Sequence, residues 1–244
     1  MLAIIGGTGL TQLANLEVSR RQAVDTPFGE PSAPLTFGAV RGTPIVFLAR
    51  HGDGHTIAPH QVNYRANLWA LKERGAREIV SVASVGGIRK DLGPGTIVVP
   101  HQIIDYTWGR ACTFFEGGAP AKHVDFTRPY SPALRARILA AARKSGEKAG
   151  DGAVYAATQG PRLETAAEID RLERDGADVV GMTGMPEAGL ARELDLAYAA
   201  IAVVANHAAG RGASAEGIQM RQIEEALGAA MARVRRIIEA LATP

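Results

Sequence analysis

Cysteine is almost absent from this chain. Cys112 stands alone among 244 residues, so no internal disulfide can form and no cysteine-rich metal site can be assembled. An excess of one charge is missing as well. The 27 basic and 25 acidic residues leave a formal net charge of +2, too little field for a nucleic-acid or membrane surface, although a local positive pocket for a small anion remains open. Long apolar runs are lacking too, since none approaches the roughly 20 residues needed to cross a bilayer. The opening MLAIIGG enters a strand-like run with no basic segment, long apolar stretch or cleavage signal. These absences predict a cytoplasmic protein with small-molecule partners, no nucleic acid and no membrane. With 46% apolar residues the chain is long enough to bury a full core and short enough for one domain spanning 1–244.

Apolar, β-rich runs alternate with helical patterns along the whole length. Runs 2–5, 44–49, 78–84, 95–100, 153–158, 178–182 and 198–206 predict strands, mostly buried on both faces. Segments 63–75, 131–146, 165–176 and 185–195 have helical spacing, and several close on glycine. In the last helix Met220, Ile223, Leu227, Met231, Val234, Ile238 and Leu241 recur every three or four positions, the stripe of a helix laid on a core. This order predicts an α/β fold, a three-layer αβα sandwich with a central mixed sheet. The stretch from Gly109 to Pro129 is the one long irregular segment, a length at which loops are often functional.

Six places carry candidate chemistry, each with a bland alternative. IIGGTGL, residues 4–10, fails the dinucleotide fingerprint because Gln12 stands where the third glycine belongs. What remains is either a tight turn or an anion cradle of backbone N–H groups joined by the Thr8 hydroxyl. LARHGDGHTIAPHQVNYRAN, Leu48 to Asn67, holds three of the six histidines, yet its spacing matches neither a zinc set nor a calcium loop. Arg50 and His51 sit where a buried strand ends, a place at which a guanidinium can grip phosphate through two N–H groups and a histidine can add a third bond; a solvated loop is the alternative. Ser84, before Gly86 and Gly87, can complete the cradle, or the glycines serve packing alone. Glu164 follows a Gly-Pro turn, and its ordinary role is first-turn helix charge. Met182 and Thr183 end another strand, while Glu187 at the next helix start reads as a cap. Asn206 ends the last strand, where an amide either caps a loop or reads the edge of a heterocycle.

Taken in order, GGTGL, TPFGEPSAPL, ARHG..HTI.P..VNY.AN.WALK, GPGTIVVP..IID.T, GPR.ET.AE and GADVVGMT..PEA.LARE resemble the trimeric purine nucleoside phosphorylases, and within them the methylthioadenosine phosphorylase branch, over nearly the whole chain. The resemblance implies a nucleoside phosphorylase-like fold and phosphorolysis: phosphate attacks the anomeric carbon of an N-ribosyl purine and releases the base. It implies inorganic phosphate as co-substrate, no metal and no organic cofactor. Thr8, Arg50, His51, Ser84 and Thr183 fall on the family's phosphate positions, Met182 on its ribose platform, and Leu163 beside the substrate. His123 matches a histidine that reaches the neighbouring subunit's 5′ pocket, which implies a homotrimer. Ala83 departs from the pattern, since the family often carries a hydroxyl or amide there.

Cleavage of the glycosidic bond develops oxocarbenium character on the ribose and negative charge on the purine, so donors at the base assist departure. The resemblance assigns the catalytic positions to Asn206 and Glu164. The adenine-specific branch carries aspartate at the first and lacks glutamate at the second. Asparagine donates to N7 or O6 of a 6-oxopurine and glutamate accepts from its N1–H, whereas adenine presents a lone pair at N1 to a carboxylate that repels it. Two such mismatches discriminate by about 10⁴. At the 5′ end, Ile218, Met220 and Ile223 stand where 6-oxopurine enzymes place a histidine. Such a wall suits a methylthio group, unless these residues are ordinary core at helical spacing. The combination resembles enzymes acting on S-methyl-5′-thioinosine. Ordinary inosine or guanosine phosphorolysis, methylthioadenosine phosphorolysis, nucleoside hydrolysis and non-catalytic nucleoside binding are the other readings.

Overall fold

A computed structural model describes residues 1–118 and 120–243. The chain runs β1 (Leu2–Gly6), β2 (Glu17–Gln22), β3 (Leu35–Val40), β4 (Thr43–Ala49), α1 (Tyr64–Glu73), β5 (Glu78–Gly87), β6 (Ile97–Val99), β7 (Gln102–Asp105), α2 (Pro132–Lys144), β8 (Gly150–Asp151), β9 (Val154–Ala157), α3 (Ala166–Arg174), β10 (Val179–Gly181), α4 (Gly184–Glu193), β11 (Ala197–His207) and α5 (Met220–Ala242). All eleven strands form one mixed sheet flanked by the helices, the α/β sandwich that the alternation predicts. No helix among the described residues is long and apolar enough to cross a membrane.

Local signals set the helix boundaries. Asn63 and Ser131 cap α1 and α2 by accepting from the N–H of Ala66 and Leu134, and Thr165 with Glu168 forms a reciprocal capping box on α3. The α5 stripe packs Leu227, Met231, Val234, Ile238 and Leu241 into the main core, while Met220 is excluded from it and is 61% exposed. Of the strands missed by the sequence pattern, β2, β7 and β8 lie at the periphery, whereas β3 is missed although Leu35, Phe37 and Val40 are buried, because Thr36 and Gly38 interrupt its apolar run. The run EVSRRQ of β2 is an exposed edge strand with no buried face to impose alternation, and QIID of β7 is half exposed.

Strand β5 organises the sheet. Along one edge it pairs with β11 over nearly its whole length, in parallel. The other edge is shared: β1 pairs in parallel with Glu78–Ser81, and β10 pairs antiparallel with Gly86 and Gly87. Because β1 and β10 run in opposite senses, their C-terminal ends approach each other head to head along the Val82–Val85 segment of β5. The ladder is interrupted there, a switch in strand order of the kind at which open sheets carry ligands. On the distal side, alternate residues divide between two cores. Tyr155 and Val179 join Val85, Val98, Ala202 and Val204 in one small cluster, while Ala156 and Val180 face Ile169 and Leu172 of α3.

Candidate active site

A cleft of about 630 Å³ opens at this interruption. Thr8 after β1, Arg50 and His51 after β4, Ser84 on β5, Leu163 and Glu164 before α3, Met182 and Thr183 after β10, Asn206 on β11, and Ile218 and Met220 before and at the start of α5 all line it. Of the expected site residues, His123 alone stands elsewhere, exposed on the 109–129 segment.

The phosphate end is built around Arg50, which is 1% exposed. Its Nε and Nη2 donate to the two carboxylate oxygens of Glu187 at 2.7 and 3.0 Å; Nη2 also donates to Ser81 Oγ at 2.6 Å and Nη1 to the Val82 carbonyl at 3.0 Å. A guanidinium has five N–H donors. Four are therefore held inside the protein, and one Nη1 N–H remains beside Gly7. The expected two-pronged grip on an anion is corrected in this respect, because the fork faces Glu187. Gly7 must lack a side chain: a Cβ there would stand 2.7 Å from Nη1 and 2.5 Å from the Val82 carbonyl oxygen. Glu187, fully buried, also accepts from the Tyr198 hydroxyl at 2.8 Å. It is a partner of Arg50 rather than a helix cap. Burial alone would lower the Arg50 pKa, but the adjoining carboxylate outweighs it and holds the value above the usual arginine range, so the guanidinium stays charged.

His51 donates through Nδ1 to the Ile57 carbonyl at 2.8 Å, which leaves Nε2 as its free ring nitrogen. Burial, reinforced by the Arg50 charge, lowers its pKa to about 4, so near pH 7 the ring is neutral and Nε2 is an acceptor; the third bond expected from the sequence is corrected in direction, since this nitrogen can accept a phosphate O–H rather than donate to the anion. His55, to which the resemblance gives no role, also lines the cleft. Its ring lies 4.7 Å from that of His51 and its Nε2 is 3.4 Å from Thr8 Oγ1. The sequence signal was there in the HGDGH spacing, but the positive φ of His55 that folds the loop back has no side-chain signature.

The nucleoside end is more open. Thr158 donates its hydroxyl to Glu164 Oε1 at 2.6 Å, leaving Oε2 for a ligand. Asn206 sits where β11 shifts register after Val204, and its Nδ2 donates to the His207 carbonyl at 2.6 Å. That bond orients the amide, with one N–H and the carbonyl oxygen still unused. Met182 packs beneath Gly160, where a Cβ would lie 2.4 Å from its sulfur. Ile218 and Met220 are not core residues, contrary to the bland reading of their spacing; they form a partly exposed wall at the cleft mouth together with Ile223. Ala83 lines the cleft beside Ser84 and brings no polar group.

One residue of the irregular segment was missed altogether. Arg110 reaches behind the nucleoside end and donates to the carbonyls of Thr158, Gln159, Met182 and Met185 and to Gln159 Oε1. Backbone acceptors leave no trace in residue type.

The residues expected to cradle an anion and those expected to read a base line one cleft at the head-to-head strand ends, and the profile of the phosphorylase superfamily matches residues 1–243. The chain belongs to the phosphorylase superfamily, as its motifs imply. It is 54% identical, over 96% of its length and 94% of the relative's, to a Pseudomonas syringae protein named "Probable S-methyl-5'-thioinosine phosphorylase". A 6-oxopurine nucleoside phosphorylase of Pyrococcus furiosus is 46% identical over 86% of this chain and 80% of its own. Among solved structures, methylthioadenosine phosphorylase from Schistosoma mansoni in complex with adenine superposes with a TM-score of 0.93 at 32% identity, covering 99% of this chain and 90% of that one.

Proposed function

We propose that the chain catalyses phosphorolysis of S-methyl-5′-thioinosine. A phosphate oxygen bonds to C1′ as the C1′–N9 bond breaks, its electron pair and a proton go to the purine, and the products are hypoxanthine and 5-methylthioribose 1-phosphate. The observation that carries this reading is the placement of Glu164 and Asn206 in one cleft with the apolar Ile218–Met220–Ile223 wall. Glu164 Oε2 accepts from N1–H of a 6-oxopurine, the unused Asn206 N–H donates to N7 or O6, and the wall takes the methylthio group. Thr8, Arg50, His51, Ser84 and Thr183 hold phosphate, with Met182 under the ribose and Leu163 against the base. The names of the Pseudomonas and Pyrococcus relatives support a 6-oxopurine substrate.

Phosphate is the co-substrate in this reading, and no metal or organic cofactor takes part. His123, exposed and remote from its own cleft, serves the 5′ pocket of a neighbouring copy in a homotrimer. The test is a panel of methylthioinosine, methylthioadenosine, inosine and guanosine, each with and without phosphate and with a chelator, alongside the mass in solution. Methylthioinosine should give the highest kcat/KM, strictly dependent on phosphate and indifferent to chelation, from a trimer. Preference for methylthioadenosine, or base release without phosphate, would overturn the reading; an active monomer would remove the role of His123.

A further inference from the structure

Arg110 stands on the long loop between β7 and α2, outside the cleft lining. Its five N–H donors each find an acceptor: Nε donates to Gln159 Oε1 at 3.1 Å, Nη1 to the carbonyls of Met182 and Met185 at 2.8 and 2.6 Å, and Nη2 to those of Thr158 and Gln159 at 3.2 and 2.8 Å. The Tyr64 ring lies beneath it, 5.6 Å from the guanidinium carbon. Apart from the Tyr64 hydroxyl, a long partner of Nη1 at 3.4 Å, the acceptors come from two segments. One is the Thr158–Gln159 turn, whose Thr158 hydroxyl holds Glu164. The other is the Met182–Met185 turn, which carries Met182 and Thr183 into the cleft.

Those two segments follow neighbouring parallel strands, β9 and β10; past the last ladder pair, Ala157 with Gly181, the Thr158 N–H still donates to the Gly181 carbonyl at 2.8 Å, but no backbone bond among the described residues joins Gln159 to the segment from Met182 to Met185. Each offers carbonyls that would repel one another if brought close with nothing between. A single planar cation resolves this, drawing carbonyls from both turns onto one rigid fork. We propose that Arg110 is a positioning residue that sets the spacing between the base reader, Glu164, and the ribose platform, Met182, and thereby the alignment of the nucleoside for attack. The inference rests on the proposed nucleoside site. It assigns no contact between Arg110 and substrate. Lysine cannot replace it, because an ammonium offers three donors from one point and cannot span acceptors on both sides of a plane.

The phosphate end depends on this clamp only through Thr183, since Thr8, Arg50, His51 and Ser84 are positioned from β1, β4 and β5. A positioning role therefore predicts a split that a general structural role does not. Arg110→Ala and Arg110→Lys are assayed on whichever nucleoside the unmodified enzyme turns over best, so that an error in the proposed substrate shows in the unmodified enzyme and not in the ratio. Both variants should raise the nucleoside KM by about tenfold or more and lower kcat, with the phosphate KM, which feels the clamp through Thr183 alone, changed by a clearly smaller factor. Guanidinium ion at millimolar concentration should restore part of the Arg110→Ala activity and none of the Arg110→Lys activity. Equal losses for both substrates, a fall in kcat with both KM values unchanged, or no response to guanidinium would overturn the proposal. So would failure of both variants to fold, since Arg110 would then belong to the framework as a whole.

Discussion

Two arginines hold opposite ends of one cleft, and they do so by different physics. Arg50 is fully buried, carries its own carboxylate in Glu187, and turns a single Nη1 N–H toward the ligand space. Arg110 is half-buried, has no carboxylate within ion-pair distance among the described residues, and spends its N–H groups on the backbone and amide oxygens of two segments, with the Tyr64 hydroxyl as a longer partner. Since His51 is neutral near pH 7, the phosphate end carries almost no net charge before phosphate arrives. Binding there rests on aimed donors rather than on an excess of positive field, which favours an anion of one size and shape. The nucleoside end has polar groups held by single bonds and a wall open on one side. One end is fixed by the core; the other is assembled from loops.

The largest effect should follow from breaking the fixed end. In Glu187→Gln the size is kept, but an amide N–H₂ faces the donors of Arg50 and a buried charge loses its partner. Breaking a buried pair in this way costs about 3–5 kcal/mol. For a chain of this length that corresponds to a melting temperature lower by roughly 10 °C. The phosphate KM should rise steeply while the nucleoside KM moves little. A thermal melt within about 2 °C of the unmodified protein would show that Glu187 does not hold Arg50 charged and in place.

The contrast also explains what the sequence could disclose. Arg50 is legible because it ends a buried strand, PIVFLA, and the polar residues at such an end have few reasons to be there except a ligand. The same holds for Ser84, Thr183 and Asn206. Glu187 was legible only as a helix-start acid, since its partner lies 137 positions away. Arg110 had no legible role at all: its acceptors are carbonyls, which every residue has, contributed from 48 to 75 positions downstream. The fold follows the same rule. Strands with continuous apolar runs were found to within a few residues; β3, buried at alternate positions but interrupted by Thr36 and Gly38, was not, and β2, exposed along its length, and the two-residue β8 carry no pattern that burial could impose.

At the nucleoside end the effect should be smaller and confined to catalysis. Asn206→Asp replaces the one unused N–H by an acceptor and also sets a carboxylate against the His207 carbonyl that now receives Nδ2. Loss of such a donor costs about 3 kcal/mol in the transition state, a fall of roughly 100- to 1,000-fold in kcat/KM for methylthioinosine. Adding Glu164→Ser should change the outcome non-additively, because both residues read one ring and the serine removes the carboxylate that opposes adenine N1. The double variant should gain methylthioadenosine relative to methylthioinosine, with stability nearly unchanged by comparison with Glu187→Gln. If Asn206→Asp leaves the substrate preference where it was, the base is not read by this pair.

The smallest effect belongs to Met220, and its size measures how open the 5′ end is. A side chain that is 61% exposed contributes only part of its surface to a bound methylthio group. A closed apolar pocket discriminates one methyl-sized group by about 10- to 200-fold. An open wall should fall below that range, so Met220→Ala is expected to raise the KM for methylthioinosine by about 3- to 10-fold and leave inosine within about twofold. Ile218 and Ile223 would supply the rest of the apolar contact. A loss near 100-fold would mean instead that the neighbouring copy's His123 segment, proposed to reach this pocket, closes the wall far more completely than the open mouth of a single chain suggests. The exposed His123 segment of a second copy is then the element to remove, and His123→Ala should reproduce the loss on methylthioinosine without touching the phosphate KM. If Met220→Ala affects inosine and methylthioinosine alike, Met220 positions the mouth of the cleft and does not read the 5′ group, and the comparison between a fixed phosphate end and an open apolar end holds without it.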